Sequence, residues 1–248
     1  MGTRMTGDLG VRAIILAGGR GRRLEPYTSV LPKPLMPVGD RAIVEIIVDR
    51  LVASGIADIT LCVGYLAHLI EALLNGRPRT ARLTYVHEPA PLGTAGPLRL
   101  VSGLDGTFLR MNGDLLTDLD FRELVELHRR SGNVVTIATH QRTHVADYGV
   151  LHVEAGDSPR LVRYDEKPES ALTVSMGIYV MEPEVLGYIP DTRYFDFPEL
   201  VQALLDEGMK VGTFPFTGFW LDIGRRDDYE LALARWEADD VQDSTGIS

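Results

Sequence analysis

An α/β fold with a mostly parallel, Rossmann-like sheet flanked by helices is what this sequence predicts, on three observations. An unbroken apolar run, VRAIILAG (Val11–Gly18), has the length of a strand buried on both faces. Strand-length apolar runs and glycine-terminated helical patterns then alternate up to about residue 140. Past that point the rhythm turns to short, loosely spaced strand patterns, which predicts a second, strand-rich half.

The elements follow in order. RAIVEIIVDRLVASG (Arg41–Gly55) carries Ile43, Ile46, Ile47 and Leu51 on one helical face, with Gly55 as its stop. ADITLCVG (Ala57–Gly64) is the next strand and LAHLIEALLNG (Leu66–Gly76) the next helix. ARLTYVHE (Ala81–Glu88) reads as a third strand, and TAGPLRLVSGL (Thr94–Leu104) as a third helix with a proline in its first turn. TFLRMNGD (Thr107–Asp114) is a fourth strand ending on Asp114, DFRELVELHRRSG (Asp120–Gly132) a fourth helix capped by Asp120, and NVVTIATH (Asn133–His140) a fifth strand. YGVLHVE, PRLVRYDEKP and TVSMGIYVMEP make up the strand-rich part, followed by the helix FPELVQALLDEG, the strand MKVGTFPF, the motif GFWLDIG and a closing helix, RRDDYELALARWEA. The organisation expected is an N-terminal extension (1–10), one domain (11–237) with halves 11–140 and 141–237, and a polar tail (238–248). The second half is expected to lean over the C-terminal edge of the sheet, where such folds bind ligands.

Composition narrows the function. The chain has 248 residues, 45% of them hydrophobic, and a formal net charge of −10. General affinity for nucleic acid or an anionic membrane is not expected, so any anionic substrate must be attracted locally. The single cysteine, Cys62, rules out an internal disulfide and reads as a small core residue. No stretch approaches a membrane span and the first residues carry no apolar signal segment, so a cytoplasmic enzyme is expected.

Against that acidic balance, Arg20, Arg22, Arg23 and Lys33 gather on a loop that follows the first strand and contains Gly18, Gly19 and Gly21. Glycines there let backbone N–H groups curl around phosphate oxygens. The spacing fits neither a P-loop nor a dinucleotide fingerprint. Pro26, Pro32, Pro34 and Pro37 are expected to keep the following segment extended and stiff, presenting Lys33 on a rigid strut.

LAGGRGRRLEPYTSVLPKPLMPVG (Leu16–Gly39) resembles the N-terminal signature of the nucleotide-sugar pyrophosphorylases, the sugar-1-phosphate nucleotidylyltransferases: L-A-G-G-x-G-x-R-L-x-P-x-T, then P-K-P-L-x-P-V. PLGTAG (Pro91–Gly96), MNGD, YGV, EKP, GIYV and GFWLDIG extend the resemblance over nearly the whole chain. HEPAPLGTAGPL is closest in motif to mannose-1-phosphate guanylyltransferase-like members. Arg22 stands where threonine is usual, Ala42 where proline is common, and Ser175–Met176 where the family has Asn-Ala. The β-helix extension of some members is not expected here.

The resemblance implies transfer of a nucleotidyl group from a nucleoside triphosphate to a sugar 1-phosphate, by in-line attack that releases pyrophosphate. It implies a nucleotide site at Leu16, Ala17, Gly18, Gly19, Gly21, Arg23, Glu88, Gly93 and Thr94, with Arg23, Lys33 and Asp114 as the catalytic set. Asp114 and Asp222 would hold Mg²⁺, a hard cation suited to few carboxylates plus phosphate oxygens. Tyr148, Gly149, Glu166, Lys167 and Gly177 would bind the sugar phosphate. Arg20 and Arg22 are read as solvated loop charges.

Glu88 occupies a position at which uridylyl- and thymidylyltransferases of the family carry glutamine. A carboxylate accepts two neighbouring donors, as guanine presents, whereas glutamine both donates and accepts. GTP is therefore the expected donor, with UTP or dTTP as the alternative. The other partner expected is the sugar 1-phosphate, and a homo-oligomer is allowed.

Three rival classes fit less well. A metal-dependent glycosyltransferase, suggested by Asp118 and Asp120 in TDLDF, should lack the glycine–arginine loop. A non-catalytic subunit should lose Arg23, Lys33, Asp114 or Asp222, and a dehydrogenase needs a different glycine spacing. His140 and His144 are read as residues of a polar loop rather than zinc ligands.

Overall fold

The computed structural model describes residues 7–156, 158–191, 193–224 and 226–234. The first six residues, the end of the closing helix and the expected tail lie outside the described residues.

The strands are β1 (Arg12–Ala17), β2 (Pro37–Val38), β3 (Arg41–Ala42), β4 (Asp58–Val63), β5 (Arg82–His87), β6 (Phe108–Asn112), β7 (Leu115–Thr117), β8 (Val135–Val145), β9 (Val150–Glu154), β10 (Arg160–Asp165), β11 (Glu169–Met181), β12 (Val211–Phe216) and β13 (Trp220–Asp222). The helices are α1 (Ile43–Ala53), α2 (Ala67–Asn75), α3 (Phe121–Ser131) and α4 (Phe197–Asp206), and residues 226–234 form a last helical stretch. Among the described residues no helix is long and apolar enough to cross a membrane.

Seven strands form the central sheet in the order β12-β8-β11-β6-β1-β4-β5. β1 runs parallel to both β4 and β6, β5 is parallel to β4, and β12 is parallel to β8. Only β11 is reversed, pairing antiparallel with β6 and β8. Alternation along β1 explains its unbroken apolar run. Ala13, Ile15 and Ala17 join the core under α1, α2 and α3, where Leu51, Ile70 and Leu124 also lie. Ile14 points to the other core with Cys62, Leu98, Phe197 and Leu200 of the α4 side. A strand buried on both faces has no polar side to show. Cys62 is the inert core residue expected, its thiol pushed up to about 12 chiefly by burial. Asp120 caps α3 as expected, its carboxylate accepting from Arg122 N at 2.8 Å.

Three expectations need correction. TAGPLRLVSGL forms only a 3₁₀ turn at Gly96–Leu100, because Pro97 removes an amide and the flanking N–H groups of Ala95 and Gly96 bond to Phe195 O. The proline-rich segment is not extended. It forms 3₁₀ turns at Arg22–Leu24, Tyr27–Ser29 and Lys33–Leu35, since a proline φ near −65° also starts a turn. The strand NVVTIATH runs on to Val145, paired with β11 along its length, so His140 and His144 sit on a strand rather than in a loop.

The chain order positions the ligand edge. From β1 the chain builds outward through β4 and β5, then returns to place β6 on the other side of β1. The C-terminal ends of β1 and β6 thus flank the point where the strand order reverses, which is where open α/β sheets bind ligands. Ile178 of β11 pairs with Met111 of β6, so residues 169–175 of the antiparallel β11 project past that same edge. The outer part of β8 projects with them, and the β9–β10 hairpin completes a lobe above the edge.

Candidate active site

At the switch point the two strand ends are stitched together. Gly113 N donates to Leu16 O at 2.9 Å, which sets the turn carrying Asp114 directly beside the glycine loop. Asp114 therefore lies in the β6–β7 turn rather than on the strand itself. β13 pairs with β7, and Ile223 N donates to Asp114 O at 3.1 Å, which brings Asp222 in from more than a hundred residues away.

Between the two carboxylates lies Lys33. Its Nζ pairs with Asp114 Oδ2 and stands 3.9 Å from Asp222 Oδ1. The lysine is buried, and its stem packs under Gly21, at a φ of 63° that favours glycine. Thr28 Oγ1 donates to Gly21 O at 2.9 Å and locks this turn. Burial and the nearby Asp114 push the Asp222 carboxyl above the usual carboxylate range, against the pull of Lys33 and Arg23. Arg23 reaches the same corner, with its guanidinium by Gly224.

This corner fits a divalent cation. Asp114 Oδ1 is buried with no hydrogen-bond partner, and a second carboxylate faces it across a shared cation. Two hard oxygen ligands with phosphate oxygens to complete the shell suit Mg²⁺. Among the described residues no third histidine, cysteine, aspartate or glutamate joins the pair.

Glu88, just past β5, turns its carboxylate over Gly18. A Cβ at Gly18 would overlap that carboxylate, so only glycine allows the approach. Glu88 Oε2 accepts from Leu92 N at 3.4 Å. Burial raises its carboxyl pKa, partly offset by that amide. Gly93 and Thr94 are placed differently. Thr94 N and Oγ1 both donate to Asp196 Oδ1, its Oγ1 accepts from Phe197 N, and its carbonyl accepts from the buried Arg110. The Thr94 hydroxyl thus holds the start of α4. Arg20 is also engaged, its guanidinium 4.9 Å from the Tyr65 ring centre.

The remaining predicted residues belong to the lobe. Gly177 on β11 faces Asn112, whose Nδ2 lies 2.6 Å from where a Cβ would stand, so a side chain here would displace that amide. Lys167 has a φ of 45°, a strained backbone for a lysine and one that functional sites retain. Glu166 accepts from Tyr164 Oη at 2.8 Å, and the Tyr164 ring lies across Gly149. Tyr148 is exposed. Reading the sequence missed Asn112, although it stands inside MNGD, and missed Tyr164, which only the hairpin pairing brings to Gly149.

A family model described as nucleotidyl transferase matches residues 12–238. Mannose-1-phosphate guanyltransferase of Aspergillus oryzae is 34% identical over 88% of this chain. UTP–glucose-1-phosphate uridylyltransferase of a Synechocystis species is 33% identical over 90%. The chain spans 62% of the length of both relatives. A Bacillus anthracis protein crystallised with a sucrose as a candidate glucose-1-phosphate thymidylyltransferase superposes with a TM-score of 0.72 at 24% identity, over 91% of this chain and 95% of that one. HddC from Yersinia pseudotuberculosis, complexed with GMP-PN, gives 0.69 at 21% identity, over 91% and 99%. These structures agree in fold. With the family model spanning almost every described residue, the chain belongs to the nucleotidyl transferase family.

Proposed function

We propose that the chain transfers a nucleotidyl group from a nucleoside triphosphate, preferably GTP, to a sugar 1-phosphate. The observation that carries this is the convergence of the glycine loop after β1 with the Asp114–Lys33–Asp222 cluster at the switch point. The relatives named above support it. Residues 11–140 then serve as the nucleotide half and 141–237 as the sugar half.

In the reaction an oxygen of the sugar phosphate attacks the α-phosphorus, the bond to the β-phosphate breaks, and pyrophosphate leaves. No covalent enzyme intermediate is needed, so positioning and charge neutralisation do the work. Backbone amides of Gly18, Gly19 and Gly21, with Leu16 and Ala17 behind them, cradle the triphosphate. Lys33 holds Asp114 and Asp222 together and, with Arg23, offsets phosphate charge. Asp114 and Asp222 would hold Mg²⁺, which when bound neutralises phosphate charge. Lys167 binds the sugar phosphate from the lobe, and Tyr148, Gly149, Glu166 and Gly177 contact the sugar.

Glu88 and the loop at Gly93 read the base. As a carboxylate, Glu88 takes the two adjacent donors of guanine; against uracil or thymine it faces a carbonyl with no proton between them. A second reading, UTP or dTTP as donor, is favoured by the uridylyltransferase relative at nearly equal identity. Glu88→Gln distinguishes them. It should lower kcat/KM for GTP about tenfold or more and improve UTP or dTTP use. A raised Glu88 pKa adds a pH signature. As pH falls, Glu88 gains its proton earlier than an ordinary glutamate, so wild-type GTP use should decline while that of Glu88→Gln does not. A wild-type enzyme that prefers UTP or dTTP with the same sugar 1-phosphate refutes the GTP reading.

A further inference from the structure

Tyr164 is the side chain nearest the space beside Gly149. It and Glu166 are two residues apart at and just past the end of β10, and their side chains meet. Their neighbours Arg163 and Asp165 engage each other and His152 on the opposite side of the hairpin, so those charges leave the Tyr164–Glu166 pair alone. The Tyr164 ring and hydroxyl fill the space a Cβ at Gly149 would need.

Tyr164 Oη has one proton and donates it to Glu166 Oε2 at 2.8 Å. A phenol keeps its proton at neutral pH, and that bond raises its pKa further. What remains for a ligand is a lone pair on Oη beside the free Oε1 of Glu166, two acceptors and no donor. We infer that Tyr164 and Glu166 form a two-acceptor edge that reads two adjacent hydroxyls of the sugar, which makes Tyr164 a specificity-determining residue. The inference rests on the sugar placement proposed above. A ring with a deoxy carbon there leaves one acceptor unpaired, and a substituent that can only accept is repelled.

The test takes mannose, glucose and galactose 1-phosphates with the nucleoside triphosphate the enzyme uses best, and follows pyrophosphate release. The 2-, 3-, 4- and 6-deoxy analogues of the best substrate are then compared in the wild type and in Tyr164→Phe, Gly149→Ala and Lys167→Ala. The wild type should reject deoxygenation at two neighbouring carbons, by about tenfold or more each. Tyr164→Phe should lose the discrimination at one of those carbons and keep the other. Gly149→Ala, which drives the phenol from its place, should do the same. Unchanged discrimination in Tyr164→Phe overturns the inference. If Lys167→Ala raises the KM for sugar phosphate while Tyr164→Phe discriminates like the wild type, only the Tyr164 assignment fails. If Lys167→Ala leaves that KM unchanged, or no hexose 1-phosphate of the panel is turned over, the sugar placement fails and the inference with it.

Discussion

Asp222→Asn is expected to cut turnover about a hundredfold or more while leaving the thermal midpoint unchanged or slightly higher. The loss follows from halving the carboxylate pair offered to a cation that would neutralise phosphate charge, a term for which removal of single groups costs this much in other enzymes. The retained stability follows from the surroundings. Burial and Asp114 already disfavour the Asp222 charge, so a neutral isostere relieves repulsion across the Lys33 gap. Asp114→Asn should lose activity to a similar degree. Chelation of divalent cations should abolish wild-type activity, and added Mg²⁺ should restore it. Full activity of Asp222→Asn at limiting Mg²⁺ removes that residue from the site.

The two lysines should fail in different ways. Lys33 is buried between Asp114 and Asp222, so Lys33→Ala leaves two carboxylates facing each other without their cation. Removing one partner of such a buried pair costs about 2–5 kcal/mol. The damage should appear in the KM for the nucleoside triphosphate, in pyrophosphate binding and in a higher Mg²⁺ requirement. Lys167 stands between β10 and β11, with a strained backbone. Lys167→Ala should mainly raise the KM for sugar 1-phosphate. Steady-state kinetics with each substrate varied in turn checks this, and identical effects of both substitutions on both substrates contradict the division.

Much of this architecture was legible because local chemistry and tertiary context agree. The apolar run of β1, the Asp120 cap of α3 and the alternation of strand and helix each follow from residues within one element. The position of β11 was not legible. Its reversed run between β6 and β8 depends on pairings far apart in sequence, as Ile178 with Met111. The proline-rich segment misled for a local reason, since a proline serves an extended strand and a tight turn equally well. The site divides along the same line. Glycine loop, Lys33, Asp114 and Asp222 stand out as motifs, but that Lys33 bridges the aspartates, that Thr94 is committed to Asp196, and that Tyr164 covers Gly149 are facts of packing alone.

The most direct measurement of the central claim is the fate of label from an α-³²P nucleoside triphosphate incubated with the enzyme, Mg²⁺ and a panel of sugar 1-phosphates. The account predicts label in a nucleoside-diphosphate sugar that retains the sugar phosphate oxygen, with unlabelled pyrophosphate formed in equal amount. It also predicts the reverse reaction, release of labelled triphosphate when pyrophosphate is added to that product. Release of a labelled nucleoside diphosphate from a supplied nucleotide sugar, with no pyrophosphate formed from any triphosphate and sugar 1-phosphate in the panel, would contradict it in favour of glycosyl transfer.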